Sequence, residues 1–268
     1  MFIMHSCLIS ARSSTRARAY ALLAAAAATC APLAAQAGLV DLGGAGSFAV
    51  LASTTVTNTG PSMIFGDVGV SPGTAVTGFG PGMVSGGTIH SNDLTAATAR
   101  TDAFAAYAVL TALPFTQDLT GVDLGGQTLG PGIYRFSSSA QLTGTLTLDG
   151  QGQANPLFVF QIGSTLTTAS AASIVHINGA DPCDSYFQVG SSATLGTGTM
   201  FEGTIIALTS DTLTTGVNVD GRVIALNGAV TLDTNNITMC IPSPTTGFAG
   251  LFLLGGGTLL RLRRRTAS

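Results

Sequence analysis

The side chains able to do acid–base, nucleophilic or metal chemistry are few and far apart along this chain. Its 268 residues hold three His, thirteen acidic residues and four Cys. His5 falls in the N-terminal leader, and His90 and His176 have no Cys or repeated acid beside them in sequence. Asp181 and Asp184 flank Cys183, but two exposed acids in a loop are far short of the ~6–8 oxygen ligands calcium takes. Arg222 with Asp220 or Glu202 reads as a structural ion pair or a corner hydrogen bond before it reads as an acid–base pair. No Gly-rich segment joins a strand to a helix with a phosphate signature. A solenoid that cleaves polysaccharide groups Asp with Arg or Lys on one face, and this chain has no Lys. The residues point away from an enzyme, with no cofactor and no metal.

The charge distribution narrows the partners. All ten basic residues are Arg, and seven lie at the ends: Arg12, Arg16 and Arg18, then Arg261, Arg263, Arg264 and Arg265. Between them only Arg100, Arg135 and Arg222 face all thirteen acidic residues. An acidic body without a basic patch argues against nucleic acid. The N-terminal Arg residues, the apolar run from Tyr20 to Ala31 and Ala35-Gln36-Ala37 form a secretion signal over 1–37. Residues 241–268 read as a sorting or anchor tail: Pro242-Ser243-Pro244 leads into an apolar run and then Arg. This tail resembles the sorting tails of Gram-negative surface proteins. The expected product is secreted or held at the cell surface, in a Gram-negative envelope, as a monomer that meets a membrane only through the tail. With Cys7 and Cys30 removed in the signal, Cys183 and Cys240 remain, and two cysteines in an exported domain pair.

The elements that must carry any surface chemistry are short strands. Glycine (35 residues) and abundant Thr, Ser, Asn and Ala favour tightly turned β structure. Runs such as Phe48-Ala49-Val50-Leu51 and Thr55-Val56-Thr57 are punctuated by Gly60-Pro61, Ser71-Pro72-Gly73 and Gly80-Pro81-Gly82. One helix interrupts them between Ser91 and Leu113, with Leu94, Ala97, Phe104, Tyr107, Ala108 and Thr111 near helical spacing and Pro114 as its stop.

Beyond Pro131-Gly132 the chain repeats. Thr194 to Leu208 matches Thr212 to Leu226 without gaps at a spacing of 18 residues (212 minus 194). Thr231-Leu232-Asp233-Thr234 repeats the opening again, and Phe160-Gln161-Ile162-Gly163 matches Phe187-Gln188-Val189-Gly190. Such a period suits a coil of three short strands and three corners, which buries its Leu and Ile only when stacked on its neighbours.

The repeated element Thr-Leu-x-Thr generates a surface. Side chains alternate across a strand, so an inward Leu turns both its neighbours outward. The outward ranks are then Gln141, Thr165, Thr194, Thr212 and Thr231, with Thr143, Thr167, Gly196, Thr214 and Asp233 beside them. Stacked coils would hold them ~4.8 Å apart along the solenoid and ~6.7 Å apart along a strand. A stiff grid of methyls and hydroxyls at such spacings can hold ordered water near the oxygen repeats of ice.

Several segments resemble the microbial ice-binding (antifreeze) proteins. They are Gly66-Asp67-Val68-Gly69-Val70-Ser71-Pro72-Gly73, Leu129-Gly130-Pro131-Gly132-Ile133-Tyr134, the run from Leu142 to Gly150, Phe158-Val159-Phe160-Gln161-Ile162, Phe187-Gln188-Val189-Gly190 and Gly221-Arg222-Val223-Ile224-Ala225. The resemblance covers Val40 to Thr238. It implies a mostly β fold, a right-handed discontinuous β-solenoid of triangular section with one long helix alongside, over 38–240. It implies ice or ordered water as the partner, through a flat face carrying Thr77, Gln141, Thr165, Thr194, Thr212 and Thr231. Thr215-Gly216-Val217-Asn218 resembles a Thr-Gly-x-Asn motif of some members and adds Thr215 and Asn218 as a secondary site. The competing reading is a surface adhesin or structural envelope solenoid, which would show exposed aromatics or no regular Thr grid.

Overall fold

Fifteen-stranded and seven-stranded parallel sheets wrap one continuous core, and a single long helix lies against one face. The computed structural model describes residues 40–241; the expected signal at 1–37 and the tail from 242 onward lie outside them. No helix among the described residues is long and apolar enough to cross a membrane.

The chain advances in coils of three strands. One coil runs Ser185–Val189, Ala193–Leu195 and then the first half of Met200–Ala207. That strand and its neighbour Asn218–Ala225 are both eight residues long, and each turns from one face onto the next at a glycine. Gly203 and Gly221 have φ of +135° and +147°. They are paired in register, and a Cβ on Gly221 would sit 1.9 Å from the Gly203 carbonyl oxygen. The Glu-Gly and Asp-Gly steps of the repeat are therefore corners that only glycine can turn.

The solenoid is discontinuous. The first strands of the body pair on one side with the coil that follows them and on the other with the last coil. Phe48–Ala52 pairs with Asn218–Ala225, Thr55–Thr59 with Val230–Asp233, and Met63–Phe65 with Asn236–Thr238. The chain builds one end first and must then travel to the other. The helix Leu94–Ala112 makes that journey: its 19 residues span about 28 Å, most of the ~38 Å that separates Ile89–Ser91 from Gln117–Asp118 at ~4.8 Å per strand.

Asp93 caps this helix, its carboxylate accepting from Ala96 N at 2.9 Å. The buried stripe is Ala96, Ala99, Ala103, Ala106 and Leu110, not the Leu94 and Ala97 series expected from the sequence; Leu94 is 82% exposed. Alanine lets the helix lie close on Leu51, Val159, Ile206 and Ile224, while the larger Phe104 and Tyr107 fill its edge.

Inside the coils the repeated Phe residues stack. Ring centroids run Tyr134 to Phe160 at 5.4 Å, Phe160 to Phe187 at 4.5 Å and Phe187 to Phe201 at 4.8 Å. The Phe-Gln repeat in the sequence is the imprint of this ladder. Arg222 takes no carboxylate. It is 5% exposed and ties the two ends of the body together, donating to the Gly46 carbonyl at 2.8 and 3.0 Å and to the Cys240 carbonyl at 3.1 Å. Cys183 and Cys240 are disulfide-bonded beside it.

Asp211 is fully buried, and neither carboxylate oxygen has a hydrogen-bond partner. It stands where neighbouring coils carry Ala193 and Val230. Burial pushes its carboxyl well above the ordinary value of 3.8, against the pull of the Ala193 backbone, and so opposes its ionisation. The part of its cost linked to ionisation is absent below that value and grows as pH rises toward the folded pKa. Asp211→Val should raise stability by about 1–3 kcal/mol at neutral pH, with the gain shrinking as melting is followed down to acidic pH. The disulfide closes a separation of 57 residues, for which chain entropy gives about 4 kcal/mol. Denaturant unfolding of the Cys183→Ala, Cys240→Ala double variant should show a loss of about 2–4 kcal/mol.

Candidate functional site

The seven-stranded sheet forms one face of the body. Its strands are Ala140–Leu142, Leu166–Thr168, Ala193–Leu195, Asp211–Leu213, Val230–Asp233, Thr55–Thr59 and Ala75–Thr77. Most are followed within a few residues by a glycine or serine corner, and each turns a residue outward, the middle one in the three-residue strands except Ala75–Thr77, where it is Thr77. Pairwise register aligns Gln141, Thr167, Thr194, Thr212, Thr231, Thr57 and Thr77 in one row. Six of the seven are threonine, all but partly covered Thr212 are exposed, and none is charged. Beneath them run Ala140, Leu166, Ala193, Asp211, Val230 and Val56 on one side, and Leu142, Thr168, Leu195, Leu213 and Leu232 on the other.

Thr165 is not in this row. Leu166 pairs with Ala193, so Thr167 meets Thr194 and Thr165 lies two residues back, its hydroxyl donating to Ser139 Oγ at 2.8 Å. Thr168, not Leu166, takes the inward slot that Leu195 fills in the next coil. Its hydroxyl is 3% exposed yet satisfied: it lies 2.8 Å from Thr199 Oγ1 and accepts from Gly196 N at 2.9 Å. The Thr-Leu repeat misled because its spelling matches while its register does not. The offset that carries Phe160-Gln161-Ile162-Gly163 onto Phe187-Gln188-Val189-Gly190 carries Thr167, not Thr165, onto Thr194, and the strand pairing keeps it.

The flanking positions differ among themselves. Thr143 is exposed beyond Gln141 and its N–H donates to Asp123 Oδ1 at 2.9 Å. Thr214 turns back, donating to the Leu195 carbonyl at 2.8 Å. Asp233 is held by two hydroxyls, with Thr215 donating to Oδ2 at 2.5 Å and Thr234 to Oδ1 at 3.1 Å. Thr215 thus occupies one carboxylate oxygen of the acid beside Thr231. Asn218 lies on the adjacent face, between Met200 and Asn236, accepting from Asn236 Nδ2 at 2.9 Å. At the far end Asp123 bridges to Gln141. Partial burial opposes its ionisation, but the N–H groups of Gly125 and Thr143 hold its carboxyl below the usual range.

Thr57 is the row member that sequence reasoning missed. Its signal was present in the alternation of Thr55-Val56-Thr57, but nothing local says that this strand lies against Val230–Asp233.

Two histidines find partners through space that the sequence did not show. His176 lies 2.6 Å from Glu202 Oε2 and 2.7 Å from Ser185 Oγ, a serine–histidine–acid order. Ser185 has no exposed surface, so its hydroxyl cannot reach a substrate. His90 lies 2.7 Å from the helix cap Asp93 and 2.8 Å from Thr88 Oγ1, and so braces the start of the helix.

Residues 50–238 match the family model described as Ice-binding-like. An ice-binding protein of Nostoc sp. (strain HG1) is 57% identical over 205 residues, 76% of each chain. The crystal structure of an ice-binding protein from the Antarctic ascomycete Antarctomyces psychrotrophicus superposes with a TM-score of 0.73 at 41% identity, over 76% of this chain and 99% of that one. A glycosylated ice-binding protein from an Arctic yeast gives 0.71 at 32% identity, over 78% and 98%. The match to the family model, the shared β-solenoid and the identity to the Nostoc protein establish that this chain belongs to the Ice-binding-like family.

Proposed function

We propose that this chain adsorbs to ice through the row Gln141, Thr167, Thr194, Thr212, Thr231, Thr57 and Thr77, and so limits ice growth or recrystallisation. The observation that carries the reading is the unbroken register of six threonines and one glutamine across seven strands. Each threonine offers a methyl that orders water around it and a hydroxyl that can join that order. Its χ1 is restricted by branching, so little entropy is lost when the array meets a solid. Parallel pairing sets the repeat at ~4.8 Å without adjustable side chains. A charged group would hold its own hydration shell against the ice lattice, and the row has none. Thr143 and Thr214 flank it, with Thr165 and Thr215 at its margins, where their hydroxyls serve neighbouring side chains.

The family's other members named above are ice-binding proteins, and this chain is read as acting in the same way, as a monomer with ordered water as its partner and with no catalytic step. The disulfide fits a body that works outside the reducing cytoplasm, secreted or at the cell surface.

Thermal hysteresis of the purified protein tests both the activity and the register. Thr212→Tyr and Thr57→Tyr should each abolish most of it with melting temperature unchanged, because a ring at either position stands above the row. Thr165→Ala should leave it nearly intact. Full activity in a folded Thr212→Tyr variant would reject the face, and full activity in Thr57→Tyr alone would end the row at Thr231.

A further inference from the structure

The body has three arginines, and two are fully used. Arg222 is buried against carbonyls, and Arg100 donates to the Leu226 carbonyl at 3.0 Å while lying over Phe104. Arg135 is different. It is exposed, and its guanidinium sits 5.0 Å above the Phe115 ring. No carboxylate among the described residues forms a salt bridge with it; its strand partner Asp118 accepts instead from Thr120 N at 2.8 Å.

This cation stands at a cleft of about 450 Å³, between the last turn of the helix and the corner that leads to the threonine face. That volume lies within the range of small-molecule sites. Two glutamines of adjacent coils, Gln161 and Gln188, line it. Their amide nitrogens pin the helix end: Gln161 Nε2 donates to the Leu110 and Leu113 carbonyls at 2.7 and 2.8 Å, and Gln188 Nε2 to Tyr107 Oη at 2.7 Å. Gln161 has spent both amide hydrogens and offers its acceptor oxygen, while Gln188 has spent one and keeps its oxygen and one N–H. Gln188 is 5% exposed, yet its Oε1 is neither hydrogen-bonded nor sealed from solvent, which leaves the cleft as the space it reaches. Tyr107 accepts from Gln188 and keeps its own O–H to donate. The cleft thus combines a planar cation braced on an aromatic ring, acceptor oxygens fixed by helix packing, and apolar surface from Phe115 and Ile162.

A simple anion would leave the acceptors unmet, and a neutral sugar would leave the guanidinium unmet. A ring bearing a carboxylate beside several hydroxyl donors meets both. We propose that this cleft binds a uronic acid, free or as a residue of a polysaccharide, with its carboxylate on Arg135 and its hydroxyls on Gln161 and Gln188. The site is separate from the threonine row and does not rest on it.

Titration calorimetry of the full chain tests this with sodium glucuronate, glucose and sodium acetate as probes. Glucuronate should bind saturably, with glucose and acetate each weaker by about tenfold or more, the loss of one charge-assisted contact set. Arg135→Ala should weaken glucuronate by about tenfold, while Arg135→Ala keeps its melting temperature and its thermal hysteresis. A glucuronate oligosaccharide separates the two sources: tighter binding than the monomer assigns the polymer, equal binding the free acid. No saturable glucuronate binding, equal affinity for glucose, or an Arg135→Ala variant that binds as well as the parent would overturn the proposal.

Discussion

The structure depends on parallel strand register being carried through a break in the chain. Phe48–Ala52 sits between Asn218–Ala225 and Asp67–Val70, bonded to both, and from that point the coils continue as though the chain had never been interrupted. A one-residue slip at this junction would turn Val56 outward and Thr57 into the core, since side chains alternate strictly. Val56 opposite Val230 and Thr57 opposite Thr231 mark the register that avoids this. Arg222 strengthens the same seam, its guanidinium joining Gly46 to Cys240. The row of threonines is long only because this junction holds.

Buried polar groups show how differently the coils satisfy the same slots. Thr168 occupies a leucine position and is kept there by Thr199 and the Gly196 N–H, a local pair that also fixes a corner. Asp211 occupies an alanine or valine position with no side-chain hydrogen bond of good geometry, and burial opposes its ionisation. An unsatisfied group of this kind costs about 1–3 kcal/mol, which a core of stacked Phe and Leu can bear but does not need. The contrast matters for the surface, because Thr167 and Thr212 stand directly beside these two residues.

Much of this was legible in the sequence, and the reasons for the rest are specific. The coil period, the glycine corners and the inward leucines could be read because each repeat sees the same surroundings, so its residues recur. The gapless match of Thr194–Leu208 with Thr212–Leu226 corresponds to a continuous ladder from Met200–Asn218 to Ala207–Ala225. Thr165 was misplaced because a short motif was allowed to outweigh the longer Phe-Gln repeat beside it. Thr57 was overlooked because strand order is not chain order, and no local pattern encodes an insertion from the other end. The helix stripe was misjudged because small residues, not large ones, face the sheet. Arg135 and its cleft had no sequence signal at all; only the folded arrangement sets its guanidinium over Phe115 at the cleft, in no salt bridge among the described residues.

The break in the solenoid also bears on how the body assembles. Residues 48–65 are made early, but their bonded neighbours at 218–238 follow 173 residues later, counted from Val50 to its partner Val223. During synthesis these first strands can meet Asp67–Val70 and the helix, but the edge that belongs against 218–238 stays unpaired. Contacts of such sequence separation carry a high loop-closure cost and slow the search for the native state. A chain of this design cannot mature from its leading end as it emerges, and completes itself only once its final coil exists. An early stop in translation would therefore leave these first strands without their partners even when most of the coils are present.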